Sequence, residues 1–214
     1  MHKIIRETSR GKNKRTPYPI VIIVCEGAKT EPTYFENFKK RNKPLRIEIV
    51  KGAKGKSYQT LVDKAIETKE KKVSKIETEC TVWCVSDVDA NTNTPYSQIS
   101  KNSQLHEFAK EAEKYGFRIA LSNPCFEVWF LLHFTYSTSY LKNYDAVMKN
   151  LIEYLPEYEK KTDIYGKISD KQKIAINNTK KLKKFHKEQG RELEIDISFN
   201  PYTKVWELVE SLLE

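Results

Sequence analysis

No stretch of this sequence approaches the ~20 consecutive apolar residues that a membrane-spanning helix needs. Its basic, polar opening also lacks the hydrophobic region of a signal peptide. The expectation is a cytoplasmic protein with no membrane partner. The four cysteines, Cys25, Cys80, Cys84 and Cys125, contain no C-x-x-C pair. A zinc site on Cys80 and Cys84 would need two more ligands, and the four histidines offer no matching pair. With mostly apolar neighbours, the cysteines are expected to be reduced core residues. A complete Walker pattern is missing, which argues against a nucleotide cradle of that kind. Internal repeats and low-complexity linkers are also missing. Acids are in deficit, with 29 Asp and Glu against 38 Lys and Arg, a formal net charge of +9. Such an excess suits a polyanionic partner such as nucleic acid, through steering and counterion release. It equally suits a solvated, lysine-rich surface.

What the chain does contain is a run of β-formers, Ile20-Val-Ile-Ile-Val-Cys25, that stops abruptly on Glu26-Gly27. A continuous apolar run indicates a parallel strand covered on both faces. Ligands in open α/β sheets bind outside the carboxyl ends of such strands, so Glu26 is a candidate functional residue. Lys29-Thr30-Glu31-Pro32 reads as a helix start with Thr30 as N-cap, followed by Tyr34, Phe35 and Phe38 on its packing face. A second strand is expected over Leu45 to Val50. After it, Lys51-Gly-Ala-Lys54-Gly-Lys56 is a basic loop offering phosphate contacts through Lys54 and Lys56, and Ser57 caps a helix bearing Leu61, Val62, Ala65 and Ile66.

The third strand, Thr81 to Ser86, ends in Asp87-Val88-Asp89, a second acidic stop. A polar loop from Ala90 to Ser103 leads to a helix with Leu105, Phe108, Ala109 and Ala112 on one face. Gly116 closes that helix, and Phe117 to Leu121 makes a fourth strand. Ser122 to Phe134 reads as a buried helix in which Glu127 stands out, because buried acids are rare unless paired or metal-bound. His133 there reads as a hydrogen-bonded core histidine. Further helices are expected at Asp145 to Leu155, Ser169 to Gln189 and Tyr202 to Leu213, with a short strand over Leu193 to Ile197. The alternation of strands and helices implies an α/β fold, a mostly parallel, Rossmann-like sheet flanked by helices. Residues 1–19 read as a basic N-terminal arm and 20–214 as a single domain, its part from about 135 onward a helical elaboration.

If the first and third strands are neighbours, Glu26, Asp87 and Asp89 converge. Clustered carboxylates repel unless a cation neutralises them, and Mg²⁺, or Mn²⁺ in its place, is the hard ion that suits oxygen ligands. Phosphodiester hydrolysis is the natural chemistry of such an ion. Lys29 and the amino end of its helix would face the phosphate.

Glu26-Gly27 and Asp87-Val88-Asp89 resemble the two acidic motifs of the Toprim domain. The segments Cys25-Glu-Gly-Ala-Lys-Thr-Glu-Pro-Thr-Tyr-Phe35, Ser122-Asn-Pro-Cys-Phe-Glu127-Val-Trp129, Leu131-Leu-His-Phe134 and Asn200-Pro201 further resemble the RloB family, in the same order over nearly the whole chain. That resemblance implies a Toprim-like fold and a metal-dependent nuclease of prokaryotic anti-phage, abortive-infection defence. It also implies an AAA-type ATPase partner, RloA, that holds the activity in check. By comparison with overcoming-lysogenization-defect nucleases, which share the Toprim core, it implies metal-ligand roles for Glu31 and Glu127. Tyr165 and Lys167 are similar to a later family motif, which would put a catalytic lysine at the transition-state phosphate. Ala28 departs from the pattern, standing where an acid or polar residue is usual. Two other readings use the same acids differently: a non-catalytic Toprim module that binds nucleic acid or a partner, and a primase-like nucleotidyl transferase.

Overall fold

The computed structural model describes residues 17–40, 43–52, 57–73, 78–89, 95–191 and 194–214. Strands and helices alternate through the first half as β1 (Ile20–Cys25), α1 (Thr30–Lys39), β2 (Arg46–Val50), α2 (Tyr58–Val73), β3 (Cys80–Asp87), α3 (Pro95–Lys114) and β4 (Arg118–Asn123). The second half holds α4 (Glu127–Leu131), α5 (Tyr144–Leu151), α6 (Tyr165–Ile168), a 3₁₀ turn (Ser169–Lys171), α7 (Gln172–Glu188), β5 (Tyr202–Thr203) and α8 (Val205–Leu213). The sheet order is β2-β1-β3-β4-β5. Strands β1 to β4 run parallel, and β5 is antiparallel to β4. This is the expected α/β, Rossmann-like arrangement.

The apolar run explains why β1 lies inside. Successive strand side chains point to opposite faces, so Val21, Ile23 and Cys25 enter one core with Tyr34, Phe35 and Phe38 of α1. Ile20, Ile22 and Val24 enter the other, with Leu61, Val62 and Ala65 of α2 and Leu105, Phe108 and Ala112 of α3. All six β1 residues are buried, and each fully buried Val or Ile contributes roughly 1.5–3 kcal/mol of transfer free energy. Leu151 of α5, Leu182 of α7 and Leu208, Val209 and Leu212 of α8 join the first core, so the C-terminal third is packed into the same layer as α1. Cys25, Cys84 and Cys125 are buried and all four thiols are free. Burial pushes the Cys84 thiol up to about 12. His133 is a core residue as expected: its Nδ1 lies 2.8 Å from the Trp129 carbonyl, and burial holds it down to about 4. Among the described residues no helix is long and apolar enough to cross a membrane.

Several boundaries differ from expectation. Helix α3 starts at Pro95 rather than after Ser103, because proline is well tolerated in a first helical turn. The residues between Asp89 and Pro95, and residues 1–16 of the basic arm, lie outside the described residues. Ser122 and Asn123 belong to β4 because β5 claims them as Thr203 and Tyr202 partners; only Glu127–Leu131 of the expected long buried helix is α-helical. No strand occurs over 194–198. Ile195 and Ile197 instead pack against the α2/α3 core, and the Ile197 N–H donates to Asn102 Oδ1 at 3.0 Å. Thr30 is the first helical residue rather than the N-cap. Its hydroxyl donates to the Lys160 carbonyl at 3.2 Å. Asn143 caps α5, accepting from the Ala146 N–H at 3.0 Å, and α7 begins only at Gln172, after α6 and the 3₁₀ turn.

The two Asn-Pro motifs meet. Both have cis peptide bonds, and Asn200 Nδ2 donates to Asn123 Oδ1 at 3.0 Å and to the Leu141 carbonyl at 2.9 Å. Asn200 Oδ1 accepts from the Leu141 N–H at 2.8 Å. Asn123 Nδ2 donates to the Ile197 and Phe199 carbonyls at 3.0 and 2.9 Å. The clasp holds the end of β4, the segment before α5 and the approach to β5 together. Asn200→Ala leaves these buried partners unmade, and at about 1–3 kcal/mol for a stranded polar group it should lower the unfolding free energy by roughly 2–4 kcal/mol. A urea denaturation midpoint equal to that of the parent would show that the clasp holds nothing.

Candidate functional site

The register of β1 against β3 builds the site. Cys25 pairs with Val85, so Glu26 leaves β1 beside Ser86 and Asp87, the last two residues of β3, which are still paired with β4. The Glu26 N–H still donates to the Val85 carbonyl at 3.0 Å. Its carboxylate Oε2 accepts from the Ser86 hydroxyl and from the Asp87 N–H at 3.4 Å. Glu26 is therefore aimed along the edge toward the third strand. Strand geometry stops at Asp87, and Asp89 has a φ of +42°, a left-handed conformation that aspartate tolerates better than most residues. The Val88 N–H donates to Ser122 O at 2.8 Å and the Asp89 N–H to Pro124 O at 3.1 Å, which turns this segment over the end of β4. Asp87 and Asp89 thus reach the same cleft through a turn, not through continued strand alternation.

The turn after Glu26 is shaped by Glu31. The Gly27 N–H donates to Glu31 Oε1 at 3.2 Å, and a Cβ on Gly27 would lie 2.4 Å from Glu31 Oε2. Only glycine leaves that carboxylate its place. From the far side of the same turn, the Gly52 N–H donates to the Gly27 carbonyl at 3.1 Å. Glu127, buried at the start of α4, accepts from Tyr158 Oη at 3.0 Å and from Thr30 Oγ1 at 3.5 Å.

Glu26, Glu31, Asp87, Asp89 and Glu127 all line one cleft of about 670 Å³, with Lys29, Lys101, Lys160, Tyr58 and Gln104. Burial and the neighbouring acids raise the proton affinity of two of them, Asp87 and Glu31. Desolvation, then Glu31, Glu127, Asp89 and Glu26, push the Asp87 carboxyl well above its usual range. Desolvation also raises Glu31, with Glu127 and Glu26 adding to it against the bonds from the Glu31 and Gly27 N–H groups. Asp87 Oδ1 is buried with no hydrogen-bond partner among the described residues. Among the described residues no three acid, imidazole or thiol side chains are drawn into a ready-made ion cage. Glu26, Glu31 and Glu127 are instead turned onto internal donors. The donor set, all carboxylate oxygen with one buried oxygen unsatisfied, fits a hard divalent cation.

Of the residues singled out from sequence, Glu26, Glu31, Asp87, Asp89, Glu127 and Lys29 share the cleft. Lys167 does not line it. On α6 it is exposed, 4.0 Å from Glu157 Oε2, because α6 belongs to the elements layered outside α1. Lys54 and Lys56 lie outside the described residues. Sequence reasoning passed over Tyr58, Lys101, Gln104 and Lys160. Tyr58 follows the loop leaving the carboxyl end of β2, a signal readable in the sequence; Lys101 lies in the stretch that reads as polar loop and that α3 occupies.

Against protein-family models, residues 21–212 match the one described as RloB-like protein. Comparison with curated proteins and with solved structures finds no match.

The crowded acids make a stability prediction. A carboxyl raised above its unfolded value costs stability while charged, and the cost disappears as pH falls through its folded value. Asp87→Asn should therefore melt higher than the parent at pH 8 in EDTA, by roughly 2–4 °C, as about 1 kcal/mol gives in a chain of this size. The advantage should shrink toward pH 5, and Mn²⁺ should raise the parent's melting temperature but not the variant's. A variant that melts no higher than the parent in EDTA would show that the acids are not in conflict.

Proposed function

From the chain's membership of the RloB-like protein family, which it shows from residue 21 to residue 212, we propose that the acidic cleft is the site of a divalent-metal-dependent nuclease. Its reaction is hydrolysis of phosphodiesters in DNA or RNA, tRNA among them. The observation that carries this reading is Asp87 Oδ1, a buried carboxylate oxygen without a partner among the described residues, in a cleft where four other acids gather. A site that keeps such an oxygen at a cost to stability is arranged for a ligand it lacks when empty.

Asp87, Glu26 and Asp89 would hold the ion, with Glu31 and Glu127 supplying further oxygens. Mg²⁺ or Mn²⁺ bound there would neutralise the acids and activate a water for attack on phosphorus. The chain's own residues do the positioning. Ser86 and the Asp87 N–H orient the Glu26 carboxylate, which would serve either as an ion ligand or as the base that takes a proton from the attacking water. Lys29, just before the first turn of α1, would present positive charge to a phosphate. Tyr158 and Thr30 fix Glu127. Gly27 gives Glu31 room at the same turn. The RloB resemblance further supports an effector role in anti-phage abortive infection, with an RloA-like AAA-type ATPase as partner. A non-catalytic binding module is the second reading. It is favoured by Lys167 lying outside the cleft, so that the lysine expected at the transition state is not the one present.

The test is cleavage of a panel of plasmid DNA, single-stranded DNA and tRNA by the purified chain with Mn²⁺ or Mg²⁺. Glu26→Gln and Asp87→Asn should each lose at least ~100-fold in rate, the scale of a positioned general base or its equivalent, while Lys167→Ala should cut nearly as the parent does. Parent-like cutting by both acid variants would remove the cleft from the chemistry. Metal-dependent binding without cutting would establish the second reading.

A further inference from the structure

Three lysines line the cleft, and they reach it from different faces of the sheet. Lys29 precedes α1, whose aromatic residues fill the core shared with α7 and α8. Lys160 lies on that side too, through the bond between its carbonyl and Thr30. Lys101 comes from α3, on the opposite face with α2. It is half-buried beside Glu26, Asp87 and Asp89, yet it forms no ion pair with a carboxylate among the described residues. Its Nζ instead lies over the Tyr58 ring, 4.8 Å from the centroid.

That ring is fixed. Tyr58 stacks on Phe108 at 4.8 Å with an interplanar angle of 10°, and its hydroxyl donates to the Asp87 carbonyl at 3.2 Å. The platform under Lys101 is thereby tied to the backbone of the acid at the centre of the cleft. An ammonium in reach of several carboxylates would ordinarily fold onto one of them. Held on an aromatic face, where attraction is directional but modest, it keeps its N–H donors free. We infer that Lys101, seated on Tyr58, is a substrate-phosphate contact of this cleft, gripping the nucleic-acid backbone from the face opposite Lys29.

The charge balance agrees. Five acids and three lysines line the cleft, so cations that neutralise the acids leave the lysines for an incoming phosphodiester. Burial lowers the Lys101 ammonium even against Glu26, Asp89 and Asp87, which pull the other way; a desolvated cation of this kind regains most when an anion arrives. The inference rests on the nuclease or binding reading of the same cleft, and its test is separable from cleavage.

Binding of a short fluorescein-labelled single-stranded oligonucleotide is measured by anisotropy with Ca²⁺ present. Thermal shift with Mn²⁺ alone is measured in parallel. Lys101→Met should weaken oligonucleotide binding about 10-fold or more and reduce the slope of log affinity against log salt by about 1. Lys101→Arg should recover most of the affinity, and the Mn²⁺ shift should be that of the parent in both. Tyr58→Leu should weaken binding in the same direction, and the double variant should bind no worse than the weaker single one, since the two act as a unit. Parent-like affinity in Lys101→Met overturns the inference, even if the parent cuts and Glu26→Gln does not. Loss of the Mn²⁺ shift in Lys101→Met also overturns it, by showing that the lysine serves the acids. A parent that fails to bind the oligonucleotide at all overturns it as well, leaving the nuclease reading to the cleavage panel.

Discussion

Carboxylates held together at the end of a buried sheet repel one another, and much of this molecule is arranged to keep them there. The pairing of β1 with β3 puts Glu26 against Ser86 and Asp87 with no spacer between them. Glu31 and Glu127 then approach from α1 and α4, both buried. In water such charges would separate; in this cleft burial and the neighbouring acids raise the proton affinity of Asp87 and Glu31. The folded chain carries that penalty because elements on all sides are anchored elsewhere.

The anchors are distributed. On one face, α1 is locked by an aromatic cluster in which Tyr34 meets Phe35, Phe38, Phe126 and Phe130 edge-on, and Tyr34 Oη donates to Gln172 at the head of α7 at 2.9 Å. On the other, Phe108 backs Tyr58, which grips the Asp87 carbonyl. The Asn123 and Asn200 clasp secures the end of β4 just before the turn toward Glu127. Motifs that a functional search would treat as catalytic divide here by role: the acids face the cleft, while the two Asn-Pro pairs keep its floor in place.

Lysines show a similar division. The chain has a formal excess of nine positive charges, yet five of its acids line one cleft. Surface lysines such as Lys64, Lys71 and Lys180 are engaged with neighbouring glutamates, exposed pairs worth little individually. Lys29, Lys101 and Lys160 are different in kind, because they line the cleft with its acids without an ion pair to a carboxylate among the described residues. On the reading proposed above, an anionic substrate would meet that positive charge only with the acids themselves compensated, so phosphate binding would be coupled to cation binding through electrostatics alone.

The sequence by itself determined the layered α/β fold, the buried run of β1, the two acidic strand ends, the helix faces and the family. All but the family, which rests on motifs spread over nearly the whole chain, are local: periodicity and composition within ten or twenty residues report which side of an element is buried. It also marked Glu127 as suspect, since an acid inside an apolar run needs a reason. For placing Glu31 and Glu127 with the other acids it offered a resemblance to known sites and no local pattern; only the tertiary structure decided that Lys101 and Lys160 line the cleft and Lys167 does not, and that Asn123 meets Asn200. Those outcomes depend on strand order, register and the path of the chain after β4, which bring together residues far apart in sequence. No local pattern encodes which of many lysines a crossover will deliver to one edge. The positive φ of Asp89 belongs with them, because the bonds to Ser122 and Pro124 that turn it exist only once β4 lies alongside β3.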